Sequence, residues 1–252
     1  MNNHNTFKIV LAAVLVAIGV VLFYFSFTIN LFGVPAVRVD FISVPIMIAG
    51  FLLGKWYGLA VGVLVDVIGY LSGPTIGAYF FGFTINLALV GFVSGFLPQV
   101  LKKVSPTFTK IALIILLTAS LAAAITYIAT TPSIPLGSET FTLNNGLKTA
   151  LIVTILLLTL LSFFFFSIIL REIGFSTNHM QKIIVTMLVA ELILIILTPI
   201  WVLILFDNPP FFVGVVSRLV RASLIFPVKV IAVLAILNAL KQQDRLFIEV
   251  LT

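Results

Sequence analysis

The residues of this chain that could do chemistry are a few charges set inside otherwise apolar runs: Asp66, Glu191, Arg218, Arg221 and Lys229. A charge in such a setting is costly and is kept where it faces a cavity or a partner. Arg218 and Arg221 are three positions apart, so on a helix they share a face. Lys229 lies about three turns further on at nearly the angle of Arg218. The spacing predicts a basic stripe descending from one end of the last helix. Because a guanidinium is a planar fork of donors matched to carboxylates and phosphates, the stripe suits an anionic ligand. Internal pairing with Glu191, Asp207 or Asp66, or reaching out to the membrane interface, would account for the same charges.

Two other stretches carry candidate ligand contacts. Arg38, in the loop VPAVRVDF, can be held over the mouth of a helix bundle, with a local pair to Asp40 as the alternative. PTIGAYFFGFTIN, residues 74–86, reads as a loop in which glycine lets backbone approach a flat ligand while Tyr79, Phe80, Phe81 and Phe83 stack on it, with Thr84 beside them. Trp201 invites the same reading. An aromatic belt at the membrane interface is the competing one for each of these rings.

No enzyme signature accompanies these residues. The sequence has no GxxxxGK[ST] phosphate loop, no nucleophile elbow, no HExxH and no paired-carboxylate constellation. It has no cysteine, and its two histidines, His4 and His179, lie far apart in polar segments. We therefore expect no catalytic residue, no metal and no cofactor. The net charge of +6 is spread thinly between apolar runs rather than clustered with aromatics, which speaks against nucleic acid.

The elements that position these side chains must be membrane helices. Hydrophobic residues make up 62% of the chain and charged ones 9%, with a mean hydropathy of +1.30, too apolar for a globule in water. Apolar runs of about 20 residues match the hydrocarbon layer of a bilayer, so the expected fold is all-α, a polytopic helical bundle. Hydropathy and Gly/Pro punctuation predict helices near 7–29, 41–54, 57–72, 83–101, 111–131, 148–170, 183–206 and 213–240. The first run is too long for a signal-peptide core and lacks a cleavage site after it, so it is expected to stay as a span. Lys8, Lys55, Lys102, Lys103, Lys110, Arg171, Lys182, Lys241 and Arg245 fall on one side, predicting a cytoplasmic location for that side and both termini. Arg38, Lys148, Arg218 and Arg221 fall at or near the other. One long polar connection, residues 130–146, is expected there, and no internal repeat is visible. Small residues four apart, Ala13 and Ala17, Gly58 and Gly62, Gly91 and Gly95, allow close helix contact, within the bundle or with another membrane subunit.

The stretch 37–95 resembles the S components of energy-coupling-factor (ECF) transporters, closest to their folate-specific branch. The branch's R-[IV]-x-F-x-x-[IV]-P core stands here as Arg38 to Pro45, its A-G-x-x-[FL]-G as Ala49 to Gly54, its G-x-x-x-G-x-x-x-D as Gly58 to Asp66, and its aromatic G-F-T as Gly82-Phe83-Thr84. TPIWVLILFDNPPFF and SRLVRASLIFPVKV resemble that family's last two helices. The resemblance implies a non-enzymatic subunit in the cell membrane that binds a vitamin from outside and works with a shared ECF transmembrane subunit and two ATPase subunits. It implies a folate-like ligand with a flat pterin for aromatic stacking and a tail whose two carboxylates would meet Arg38, Arg218 and Arg221; Tyr79, Phe83, Thr84, Trp201 and Lys229 complete the expected substrate-binding set. It also implies docking of the shared subunit through Ala13 and Ala17 with Gly58 and Gly62. The chain departs from the six-helix pattern by an added pair at about 107–175, which leaves a core of 7–105 and 180–240 within one transmembrane domain. It further departs by Phe81 in place of a proline and by Lys229 in place of a glutamine. A stand-alone proton-coupled membrane carrier, with Asp66, Glu191 and Lys229 relaying protons, is the alternative from another class.

Overall fold

The computed structural model describes residues 3–31, 34–73, 78–101, 103–130, 133–136, 139–142, 144–172, 178–205 and 211–243. Through them run eight helices: α1 (Asn3–Tyr24), α2 (Ser43–Leu53), α3 (Lys55–Ser72), α4 (Phe81–Val100), α5 (Pro106–Thr130), α6 (Asn145–Glu172), α7 (Asn178–Leu205) and α8 (Phe211–Gln243). Six described helices are long and apolar enough to cross a membrane. Large apolar side chains such as Val10, Leu64, Ile115, Leu157 and Ile196 are exposed on the bundle surface, as lipid-facing positions of a multi-pass membrane protein should be.

Two short antiparallel hairpins add to the helices. β1 (Phe27–Leu31) pairs with β2 (Val34–Val39) between α1 and α2, and β3 (Ser133–Leu136) pairs with β4 (Glu139–Thr142) between α5 and α6. Both lie at the end of the bundle where α1, α3, α5 and α7 finish, and β1 touches β3. The first corrects the expected span 7–29, because the helix stops at Tyr24. Residues 25–31, FSFTINL, alternate apolar and polar with period two, which is a strand pattern that average hydropathy conceals.

The centre of the bundle is α2. Its 11 residues rise only about 16 Å, well short of a bilayer. All of them but Phe51 are buried, as expected of a helix apolar on every side. Gly54, at φ +97°, turns the chain from α2 straight into α3, a conformation that side chains strain to adopt. Helices α2, α3 and α4 then meet through glycine. A Cβ on Gly58 would overlap the carbonyl of Gly91, one on Gly91 would overlap that of Gly58, one on Gly62 would overlap the backbone of Leu87, and one on Gly50 would come within 2.6 Å of the Gly91 oxygen. Close backbone approach of this kind is how helices associate where lipid removes the hydrophobic drive.

α7 packs against α4 and α8, while α1 packs on α3 and α2 from the other side. The pair α5 and α6 lies on α8, with α5 also touching α7. Ala13 and Ala17 are exposed on α1, whereas Gly58 and Gly62 are buried. The two glycines therefore belong to the α3–α4 contact, which corrects their expected place on a docking surface.

Candidate ligand-binding site

At the hairpin end, α1, α2, α3, α4, α7 and α8 enclose a cavity of about 300 Å³. That is the lower end of the range for small-molecule sites. Its aromatic lining comes from Phe23, Tyr70, Tyr79, Phe80 and Phe83, and its charged lining from Asp40, Asp66, Arg218 and Arg221. Tyr79 and Phe83, expected at the ligand from sequence, both line this cavity. Phe81 is not, since the helix begins at that residue and turns its ring outward, 63% exposed.

Arg218 and Arg221 enter from the first turns of α8. The Arg218 guanidinium curls toward the start of its own helix, where Nη1 donates to the Gly214 carbonyl at 2.9 Å. Among the described residues no carboxylate lies within 4 Å of it. Arg221 differs: its Nη2 donates to Glu191 Oε1 at 2.5 Å and its Nη1 lies 3.9 Å from Asp40 Oδ2. Lys229 sits deeper, 1% exposed, with Nζ 3.5 Å from Glu191 Oε2. It does not line the cavity, which corrects its expected role as a ligand contact; its ammonium balances the carboxylate that also holds Arg221. The alternative of internal pairing thus applies to Lys229, while Arg221 both pairs and lines the cavity. The Arg38 backbone lies in β2 opposite Thr28; its side chain and all of Asp207 lie outside the described residues.

On the facing wall, α3 and α4 build a directed chain of hydroxyls. Thr84 is buried at the start of α4, and its Oγ1 donates to Asp66 Oδ2 at 2.6 Å. A threonine hydroxyl has one proton, so the short Tyr79–Thr84 hydrogen bond must run from the Tyr79 hydroxyl to Thr84. Thr84 is therefore a support for Asp66 and Tyr79 and is absent from the cavity lining. Tyr79 also meets Tyr70 edge-to-face at 5.1 Å.

Trp201 likewise braces the site from behind. Its indole N–H donates to Asn86 Oδ1 at 2.9 Å, Asn86 Nδ2 donates to Thr198 Oγ1 at 3.1 Å, and the ring packs on Phe80 at 6.0 Å. Asn86, Phe80 and Thr198 line the cavity; Trp201 does not, so the expected stacking on a ligand becomes an indirect role. Gly82 makes this packing possible, because a Cβ there would run into the rings of Phe80 and Trp201. Asn86 and Thr198 had no place in the sequence reading of the site, and Asp40 entered it only as a pairing alternative for Arg38. The signal that could have found the first two is a polar side chain within an apolar run.

The family described as ECF transporter, substrate-specific component, matches residues 7–174, two thirds of the chain and a stretch that includes α5 and α6. No curated protein matches the chain. The aromatic, charge-lined cavity within a membrane bundle is what a binding subunit needs, and with that match the chain belongs to the family of substrate-specific components of ECF transporters: a membrane-embedded, non-enzymatic substrate-binding subunit that acts with ECF transmembrane and ATPase subunits.

Proposed function

We propose that this subunit binds folate or a related anionic vitamin with a flat heterocycle, from outside the cell, and passes it on with the shared ECF subunits. The observation that carries the reading is Arg218: a buried guanidinium at the wall of an aromatic cavity, with its main-chain bond to Gly214 and no described carboxylate in reach. A cation so placed favours a negative ligand group. The rings of Tyr79, Phe80 and Phe83 suit the heterocycle, and Arg221 is a second cationic contact held in position by Glu191. The side bearing Lys8, Lys55, Lys103, Lys110 and Lys182 is then cytoplasmic with both termini, and the cavity opens at the opposite, outer end.

We further read α1–α4 with α7–α8 as the substrate-binding core and α5–α6 as a peripheral pair within the single transmembrane domain. The packing of α7 against α4 and of the pair on α8 supports that division. Ala13 and Ala17, exposed on α1, which packs on α2 and α3 while α5 and α6 pack on α8, are the proposed docking positions for the shared transmembrane subunit.

Mass spectrometry of small molecules released from detergent-purified protein, followed by titration with folate, tests the ligand. Co-purified folate or saturable folate binding supports the proposal; release of a different vitamin, with no folate binding, overturns the choice of ligand. Uptake in vesicles should require the other ECF subunits and ATP. Uptake by the chain alone would favour the proton-coupled carrier.

A further inference from the structure

Beside the rings of the cavity runs a hydrogen-bond network whose directions follow from donor and acceptor chemistry alone. Phe83, Asn86 and Leu87, at i, i+3 and i+4, form the face of α4 that lines the cavity, and Asn86 is only 3% exposed. Which way an amide points is decided by its partners. The Trp201 indole is a donor only, so the atom it meets at 2.9 Å must be Oδ1. Nδ2 then faces Thr198 at 3.1 Å, and the Thr198 hydroxyl, having given its one proton to the Leu194 carbonyl at 2.7 Å, accepts from it. An amide nitrogen carries two hydrogens, and among the described residues Nδ2 has this single partner. The second hydrogen therefore has no described acceptor, on a side chain that lines the cavity. A buried N–H without an acceptor is costly, so this donor constrains what can fill the space beside it.

We propose that Asn86, oriented by Trp201 and Thr198, is a specificity residue of this site: it donates to a carbonyl on the edge of a flat ligand and selects oxo heterocycles over analogues with an amino group at that place. The inference rests on the anionic-heterocycle reading above and sharpens it. A head stacked on Phe83 brings one edge to Asn86, three residues on along the same helical face. A carbonyl there accepts the second amide hydrogen. An amino group instead sets donor against donor, and Nδ2 stays half-satisfied out of water. A site that must satisfy a buried donor rejects the analogue that cannot accept more strongly than an apolar wall rejects a change of size. The arginines line the cavity from α8, so the choice of head is separable from the hold on the ligand's negative end.

The same network predicts a switch. In Asn86→Asp the side chain keeps an acceptor for the Trp201 indole and loses the amide donor. The Thr198 hydroxyl can turn to donate to the second oxygen, whose remaining lone pair accepts from an amino group and opposes a carbonyl. Trp201→Phe acts on orientation: without the indole N–H the amide can turn over as the Thr198 hydroxyl reverses, and the donor is presented only part of the time.

The test titrates folate and aminopterin, which share a glutamate tail and differ at position 4, oxo in one and amino in the other, into the purified full chain by calorimetry at neutral pH. Wild type is expected to bind folate at least about tenfold more tightly, the equivalent of one hydrogen bond gained and one buried donor left unmet. Asn86→Asp is expected to lose or reverse that preference. Trp201→Phe should keep the order with a smaller ratio, and it decides the matter if the aspartate variant does not fold. Equal binding or a preference for aminopterin in wild type, or an unchanged ratio in whichever of the two variants decides, overturns the role of Asn86 while leaving the anionic-heterocycle reading intact. Binding of neither compound by wild type overturns that reading and this inference with it.

Discussion

Replacing Arg218 by alanine separates a binding cation from a structural one. Arg218 is 7% exposed, keeps one main-chain hydrogen bond and has no described carboxylate partner, so its removal leaves no acid stranded. A hydrogen bond from a charged donor to a ligand carboxylate contributes about 1.5–3 kcal/mol. At about 1.4 kcal/mol per tenfold, Arg218→Ala should weaken an anionic ligand by about 10- to 150-fold. Fold stability should not fall, because the variant relieves burial of a charge. Arg218→Lys retains the charge without the planar fork and should fall between the two. The assay is isothermal titration of folate into detergent-purified protein, with thermal melting followed by size-exclusion chromatography as the control. Unchanged affinity in a folded Arg218→Ala would refute the assignment of Arg218 to the ligand's negative end.

Glu191→Ala should behave oppositely. It removes the 2.5 Å partner of Arg221 and the carboxylate beside the buried Lys229 ammonium, a loss of about 3–5 kcal/mol that should appear as a marked drop in melting temperature. Gly91→Ala should destabilise the bundle by about 1–3 kcal/mol or more, since the new methyl meets main-chain atoms of Gly58 that cannot swing aside; melting of the purified variant reads this directly. Bulky replacement of the exposed pair, Ala13→Trp with Ala17→Trp, should leave ligand affinity within about twofold in the isolated subunit and abolish uptake by the assembled transporter, as measured by binding and by vesicle transport in parallel.

Helix number and placement were legible because membrane spans advertise themselves by length and apolarity, and the six long spans and the buried α2 follow from that signal. The hairpins were not, because FTINL carries its period of two over only a few residues and its partner VPAVRV carries none, so neither stands out from an apolar background. The site was legible in part. Helical spacing brought Arg218 and Arg221 to one face, but the same logic placed Lys229 with them. What takes Lys229 out of the cavity is Glu191, a residue of another helix whose register against α8 no spacing within α8 encodes. Thr84 and Trp201 show the same limit: sequence finds the neighbourhood of the cavity, while packing decides which side chain lines it and which braces it.

That division has a consequence for how the cavity is built. Arg221 and Lys229 are held by Glu191, with Asp40 close to Arg221, so two buried cations stand against two carboxylates and the set is internally balanced. Such a set holds Arg221 in one orientation before any ligand arrives, and preorganisation of this kind lowers the cost of binding. Arg218, one turn nearer the start of the helix, stands outside that balanced set. An anionic group brought to it would meet a cation with no carboxylate within 4 Å among the described residues, whereas the same group brought to Arg221 must compete with Glu191 at 2.5 Å. Affinity for the negative end of the ligand should therefore depend more steeply on Arg218 than on Arg221, and stability more steeply on Arg221 than on Arg218. The two arginines, adjacent on one helical face and indistinguishable by type, are separated in role by the carboxylate that only one of them reaches.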